Sequence, residues 1–529
     1  MYLLGLTFPI GWNSAATLIK NGKLVAFCEE ERLNKYRYCH RVPALNAMQY
    51  CLDEAGITLD DVEAVSFGWD HGFSLWPSFN VRRYLIRRFL LKFYGKEITS
   101  KKIYYQNHHE SHVASSVFCS GFEETNFISL DSSGGDTAGI FGVAKGPEIK
   151  ILKKLPIDQS WGFVYENITE SIGFLPHREE GKTMGLAALS EPDIKIFDSW
   201  LDLSGELPHI NLDAFKTYLK TLKYRQRHEP LNDEHKLLAA TIQYSLEQAC
   251  IKIARWLYRQ TGVKNLCMSG GCALNCSTNG KLGMLEEVDN IYIQPAAHDA
   301  GTALGAAQLT YRDITGKRPW TDLPTPHFGP GYTDEEIEIA IKKTRSPLFK
   351  KSDNIARDVA DLLVKQKVVG WFQGRMEFGP RALGGRSILG NPCDPEMQDI
   401  INKQIKNREP WRPFAPSMKE EAMPRYVDKI KNSPYMLVAT YLKDEVKEAI
   451  PSATHIDGSV RIQTINKEAQ PKYWQLCDEM EKRTGHPVVL NTSFNVAGQP
   501  IVCTPFDAIS TFYAAGIDYL AIGDYLLWK

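Results

Sequence analysis

One arrangement of strands and turns occurs twice in this chain, and it limits the fold more than any other feature. The first copy runs from the apolar stretch Tyr2–Phe8 through a polar turn into Ala15-Ala-Thr-Leu-Ile19. Asn21-Gly22 then leads into Leu24-Val-Ala-Phe27. Asn-Gly between two apolar runs is a hairpin signal, because both residues accept the positive φ that a tight two-residue turn requires. The second copy has the strand Phe127-Ile-Ser-Leu-Asp131, the turn Ser132-Ser-Gly-Gly135 and the strand Thr137–Val143. Lys145-Gly146 turns it into Ile149-Lys-Ile-Leu152. Between the copies lie an amphipathic helix over Pro43–Gly56 and a strand over Val62–Phe67. The repeat predicts an internally duplicated α/β unit.

Two such units facing across a cleft are the design of the actin-like (ASKHA) ATPases and sugar kinases, which bind nucleotide between their halves near glycine turns. A chain of 529 residues exceeds one core and implies two or three domains. The boundary is expected where Pro324, Pro326, Gly329, Pro330 and Gly331 crowd into Thr321–Gly331. The expected division is a duplicated domain over 1–322 (halves 1–105 and 106–322), a linker over 323–350, and a second, α+β domain over 351–529.

Asn107-His-His-Glu-Ser-His112 carries the first chemistry. On a helix, His108 and His112 share one face a turn apart and can hold one metal ion, while His109 points about 100° away. Two histidines leave a divalent site incomplete. Asp131, beyond a strand, and Asp299, at the start of the small-residue helix Ala300–Ala307, are the candidate carboxylates. Asp299 is equally suited to capping that helix. Ser269-Gly-Gly-Cys-Ala-Leu-Asn275 follows a strand and precedes a helix, so Gly270 and Gly271 can bring main-chain N–H groups close to a phosphate or ribose. Glu180-Gly-Lys-Thr183 lacks the earlier glycines of a P-loop.

In the second domain, Gly374–Pro392 combines five glycines with Arg375, Arg381 and Arg386, a composition suited to cradling an anion. Arg412 and Arg461 are further donors, and Val488–Asn495 reads as a buried strand ending in hydrogen-bonding residues. Glu29-Glu-Glu-Arg32 reads as an exposed rim or a substrate contact. The net charge of −1 gives no field to attract nucleic acid or an anionic membrane. The basic helical run Val81–Lys92 is expected to be a solvated helix face. No apolar run approaches the roughly 18 residues of a membrane span. Eleven scattered cysteines without a paired CxxC fit a reducing cytoplasm.

With these motifs assembled, the chain resembles the O-carbamoyltransferase family of antibiotic and nodulation-factor biosynthesis. The resemblance rests on Gly379-Pro-Arg-Ala-Leu-Gly-Gly-Arg-Ser-Ile388, Arg412-Pro-Phe-Ala-Pro416, Leu490-Asn-Thr-Ser-Phe-Asn495, Ser269–Asn275 and His108–His112. It implies a TsaD-like, actin-type N-terminal domain and a YrdC-like C-terminal domain. The latter would combine carbamoyl phosphate and ATP (with Mg2+) into carbamoyl adenylate. The former would pass the carbamoyl group to a hydroxyl of a small-molecule natural product, using a divalent metal of the iron type. His108, also a catalytic candidate, would ligate the metal with His112, Asp131 and Asp299. Gly270, Gly271 and Asn275 would hold the nucleotide, beside Ser132, Gly134 and Lys182. Arg381, Arg386 (also catalytic), Ser387, Arg412, Arg461, Asn491, Ser493 and Asn495 would line the activating site.

One departure bears on the acceptor. Many members carry a His-Asp pair where this chain has Trp12-Asn13, which makes Asn13 the remaining catalytic candidate there. No nucleic-acid or membrane partner is expected, and a homodimer is the candidate assembly. Competing readings are carbamoylation of a protein or tRNA-linked acceptor, an ASKHA-type small-molecule kinase, and a nucleotide-sensing protein with an inactive site.

Overall fold

The computed structural model describes residues 1–8, 11–69, 88, 90–92, 94–95, 98–319, 323, 325–409, 411–412 and 414–529. Most of the basic run at 81–92 and residues 321, 322 and 324 of the expected boundary lie outside these. The chain forms two compact units: Met1–Glu30 with Tyr38–Leu323, and Glu31–Arg37 with Pro324–Lys529.

The first unit contains two five-stranded sheets built to one plan. In the first, β1 (Tyr2–Leu6) pairs antiparallel with β2 (Ala15–Lys20), which pairs antiparallel with β3 (Lys23–Glu29). On its other side β1 runs parallel to β4 (Val62–Phe67), and β4 parallel to β5 (Lys102–Tyr105). Asn21 and Gly22 close the β2–β3 hairpin at φ 51° and 81°, as a type I′ turn demands. In the second sheet β6 (Glu124–Leu130), β7 (Thr137–Lys145) and β8 (Glu148–Pro156) repeat the antiparallel run. After the short pair β9 (Leu201–Asp202) and β10 (His209–Ile210) come β11 (Asn265–Ser269) and β12 (Asn290–Ile293). β6, β11 and β12 are parallel in that order. The orders β3-β2-β1-β4-β5 and β8-β7-β6-β11-β12 are therefore identical, which makes this region an ASKHA-like duplication.

The polar cluster Glu29–Arg32 corrects the exposed-rim expectation. Glu29, Glu30 and Arg32 are all buried. The Glu30 carboxylate accepts from Asn46 Nδ2 (2.6 Å) and the Ala47 N–H (2.9 Å), so it anchors the start of the helix Leu45–Ala55.

The second unit is a mixed eight-stranded sheet. Its strands are β13 (Phe349–Lys351), β14 (Val369–Phe372), β15 (Arg386–Gly390), β16 (Ala415–Lys419), β19 (Gln463–Ile465), β20 (Val488–Ser493), β21 (Tyr519–Ile522) and β22 (Tyr525–Trp528). β17 (Thr440–Tyr441) and β18 (Ser459–Val460) form a separate pair. The spatial order is β13-β22-β21-β14-β15-β20-β16-β19. Helices Ile355–Leu363 and Pro471–Thr484 cover one face, packing Val359, Leu363, Leu476 and Met480 on Trp371, Leu389 and Val489. The stretch expected as a linker is structured: Asp334–Lys343 is a helix and β13 pairs with β22. Glu31–Arg37 joins this unit because Leu33 packs on Met376, Ile501 and Cys503, and Arg32 Nη2 donates to the Gly379 carbonyl (2.8 Å).

Candidate metal centre and anion site

The histidine helix, His108–Val117, starts where Asn107 Oδ1 accepts from the Glu110 N–H. Its apolar residues Val113, Ala114 and Val117 sink into a core with Phe127, Ile140 and Leu309, each large side chain stabilising by about 1.5–3 kcal/mol. The helix Ala300–Thr315 lies directly against it. A side chain at Gly305 would collide with the Ser111 carbonyl, so glycine lets the two backbones touch. That contact carries Asp299 to the imidazoles.

His108, His112, Asp131 and Asp299 each offer a ligand atom, all within 4.8 Å of one another. The two Nε2 atoms are 3.2 Å apart. Asp131 Oδ2 stands 3.1 Å from His112 Nε2 and 3.9 Å from His108 Nε2, and Asp299 Oδ1 stands 3.7 Å from both. Donors held about 2.0–2.2 Å from one ion are themselves roughly 3 Å or more apart, so the spacing fits a single cation. His108 Nδ1 lies 3.2 Å from the Gly68 carbonyl, which makes Nδ1 the donor and directs the Nε2 lone pair at the cluster. Asp299 makes no side-chain capping bond, so capping does not compete for it.

The electrostatics agree. Burial works against a charged His112, but the Asp131 and Asp299 carboxylates outweigh it and raise its pKa to about 9. Burial likewise opposes ionised Asp131, yet the two histidines hold it well below the usual carboxylate range. The cluster is built for positive charge. His109, turned away, meets the Thr137 carbonyl at 3.1 Å, and burial lowers its pKa to about 3.

The other expected residues of this unit divide. Gly271 N–H donates to Asp131 Oδ2 (3.2 Å), and Ser132 N–H to Asp131 Oδ1 (2.7 Å). Gly134 lies under the helix, where a Cβ would come within 2.5 Å of His109 Nε2. Asn275 is occupied locally: its side chain caps the helix Cys276–Gly283 and exchanges two hydrogen bonds with Gln243, a partner the sequence reading did not single out. Lys182 pairs with Glu179 at 3.0 Å. Gly270 turns at φ 81° beside the Leu130 carbonyl. Asn13 is held at φ 52° by its N–H on the Tyr38 carbonyl (2.7 Å).

In the second unit the expected residues fall into two groups. Arg386 is fully buried, stacked 3.6 Å over the Phe372 ring. Its Nη atoms donate to the carbonyls of Gln373, Gly374, Gly385 and Pro330, while its buried Nε has no hydrogen-bond partner. Ser387 Oγ accepts from the Gly384 N–H (3.2 Å). Asn491 Nδ2 donates to Ala382 O, Ser417 Oγ and Gln463 Oε1. Buried Glu377 adds a carboxylate oxygen that accepts from the N–H groups of Leu383, Gly385 and Arg386. These residues shape the loop that carries Arg381.

The second group surrounds Lys406, at the end of a π-helical turn, Asn402–Lys406. Its ammonium donates to the Ser493 carbonyl and to Asn495 O and Oδ1 (both 2.9 Å). Burial, then Arg408, Arg412 and Arg37, push its pKa well below the ordinary lysine value. Burial, then Arg412 and Arg461, lower Arg408 to about 9. Arg408 stacks on Phe414 at 4.3 Å, and its Nη2 is buried without a hydrogen-bond partner. Expected Arg412, Arg461, Ser493 and Asn495 thus gather around two residues the sequence reading missed. A Lys-Asn-Arg step shortly before Arg412 was the available signal.

Family models described as "Carbamoyltransferase N-terminus" and "Carbamoyltransferase C-terminus" match residues 71–308 and 360–529. Nodulation protein NolNO of Sinorhizobium fredii is 33% identical, over 98% of this chain and 79% of its own length. This chain belongs to the carbamoyltransferase family. Nodulation protein NolO of Bradyrhizobium diazoefficiens is 36% identical over 80% of this carbamoyltransferase chain and 79% of its own length. Among solved structures, HypF of T. kodakarensis matches 60% of the chain and 48% of its own, at 14% identity and a TM-score of 0.38. No helix among the described residues is long and apolar enough to cross a membrane.

Proposed function

We propose that this carbamoyltransferase is an O-carbamoyltransferase with two stages. The second, YrdC-like unit combines carbamoyl phosphate with ATP into carbamoyl adenylate, and the first transfers the carbamoyl group to a small-molecule hydroxyl. The observation that carries the reading is the four-donor cluster. His108, His112, Asp131 and Asp299 would hold a divalent metal, and a His2Asp2 set suits iron while admitting manganese or zinc. Bound there, the ion supplies Lewis-acid polarisation. His108 is oriented for this by Gly68, and the Gly271 and Ser132 N–H groups hold Asp131 in place.

In the second unit, Lys406, Arg408, Arg412 and Arg461 receive the dianionic carbamoyl phosphate, since clustered cations are relieved by a multivalent anion. Arg386, Ser387 and Asn491 act by positioning the glycine-rich loop.

Mass spectrometry after incubation with carbamoyl phosphate and Mg-ATP tests this. Wild type and His108→Ala yield carbamoyl adenylate, and Arg408→Gln yields it only at carbamoyl phosphate concentrations about 10- to 100-fold higher. Metal analysis finds the divalent ion in wild type and its loss from His108→Ala. ADP in place of a carbamoylated nucleotide would instead favour a kinase.

A further inference from the structure

A second polar pair lies two hydrogen bonds from Asp131 and is not used by the cation cluster. Glu166, on the helix Trp161–Ser171, is largely buried, whereas the His177 side chain is 40% exposed. His177 Nδ1 stands 3.0 Å from Glu166 Oε2. The other carboxylate oxygen accepts from Ser132 Oγ at 3.0 Å, and the Ser132 N–H donates to Asp131 Oδ1 at 2.7 Å.

The imidazole also lies against an aromatic ring. Its ring lies 5.1 Å from that of Trp12, which is itself stacked on His40 at 3.9 Å and 3°. The Arg178 guanidinium stands over Trp12 (5.2 Å) and Tyr38 (5.4 Å). His177 holds φ 61°, a conformation that costs a non-glycine residue about 1 kcal/mol or more and that a surface ion pair does not require. Its Nε2 has no hydrogen-bond partner among the described residues. A buried carboxylate orienting an accessible imidazole through Nδ1 is the arrangement that makes Nε2 a proton acceptor.

We propose that the His177–Glu166 pair is the general base for carbamoyl transfer, taking the proton of the attacking hydroxyl. This rests on the two-stage reading above. The hydroxyl oxygen bonds to the carbamoyl carbon while His177 Nε2 takes its proton. The bond from that carbon to the adenylate phosphate oxygen breaks, AMP leaves with the electron pair, and the proton passes from Nε2 to solvent. Glu166 stabilises the imidazolium and is a positioning residue.

The charged groups facing His177 are Glu166, Glu180 and Asp131, which favour its protonated form, and His40, which opposes it. The Glu166 bond dominates and raises the His177 pKa above the ordinary histidine value.

The test uses the full chain with carbamoyl phosphate and Mg-ATP, with water, methyl α-D-glucopyranoside or hydroxylamine as acceptor. His177→Gln is expected to form carbamoyl adenylate as wild type does. Its transfer to hydroxyls falls about 10²-fold or more, while transfer to hydroxylamine, already a free nucleophile near neutral pH, falls less than about threefold. Glu166→Gln lowers the plateau and moves the rising limb of the hydroxyl pH profile to lower pH. In NMR titrations the His177 ring moves downward in the same variant.

Hydroxyl transfer by His177→Gln within about threefold of wild type would overturn the assignment. So would equal losses for both acceptor types, or an unmoved imidazole in Glu166→Gln. Failure of the wild type itself to make carbamoyl adenylate overturns the two-stage reading first, and is seen before any variant is compared.

Discussion

The two units gather opposite charge. In the first, two carboxylates and two imidazole nitrogens converge within 4.8 Å, with Glu166 and Glu180 nearby. In the second, Lys406, Arg408, Arg412, Arg461 and Arg37 crowd together, and Arg408 keeps a buried donor unmatched. A net charge of −1 hides both. Each cluster is costly alone and is relieved by a partner of opposite sign, a cation in one and a phosphate-bearing anion in the other. A chain that looks electrostatically neutral from composition therefore contains two strongly biased sites.

The contrast is broken most severely by His112→Ala. Loss of one of four donors is expected to lower carbamoyl transfer by about 10³-fold or more, several kcal/mol of polarisation. Carbamoyl adenylate formation should remain, which single-turnover analysis of the nucleotide products would read out. Retained transfer would remove the cation from the first unit's role.

Arg386→Ala comes next and acts on the scaffold. It removes four hydrogen bonds to buried carbonyls and the Phe372 stack, so we expect a loss of about 3–4 kcal/mol in denaturant unfolding. Arg386→Lys should not restore it, since an ammonium lacks the planar fork. Full stability with lost carbamoyl phosphate binding would return Arg386 to the anion site.

Glu180 sharpens the comparison through pH. Burial raises its pKa to about 7, well above the ordinary glutamate value of 4.5. A carboxyl whose folded value lies above its unfolded value contributes stability that is present below the unfolded value and lost as pH rises through the folded one. Glu180→Gln should therefore flatten the stability loss between about pH 4.5 and 7 and stabilise the metal-free protein at pH 8 by up to about 3 kcal/mol. An unchanged pH–stability curve would mean that Glu180 ionises without cost.

Arg408→Gln is the mildest. Losing one charge-assisted contact should raise the KM for carbamoyl phosphate about 10- to 100-fold, roughly 1.5–3 kcal/mol, with little change in stability. A larger fall in kcat than in affinity would place Arg408 on the reacting bond rather than on the bound phosphate.

Sequence alone determined the features written in local pattern. The Asn21-Gly22 hairpin and the strand–turn–strand repeat were legible because turn chemistry and two-residue alternation act over a few neighbours. The pairing of His108 with His112 was equally legible, since one helical turn separates them. Asp131 and Asp299 were nameable as candidates because each ends or begins an element. Only tertiary structure brought their carboxylates to the histidines, through the close contact at Gly305. It also decided that the Arg386 Nη atoms donate to main-chain carbonyls while Lys406 stands with Ser493 and Asn495, that Glu30 anchors a helix, and that Glu31–Arg37 belongs to the second unit. Residue type states what an arginine or carboxylate can bond. Which partner takes up its donors depends on chain segments tens to hundreds of residues away, and that is settled only when the core closes.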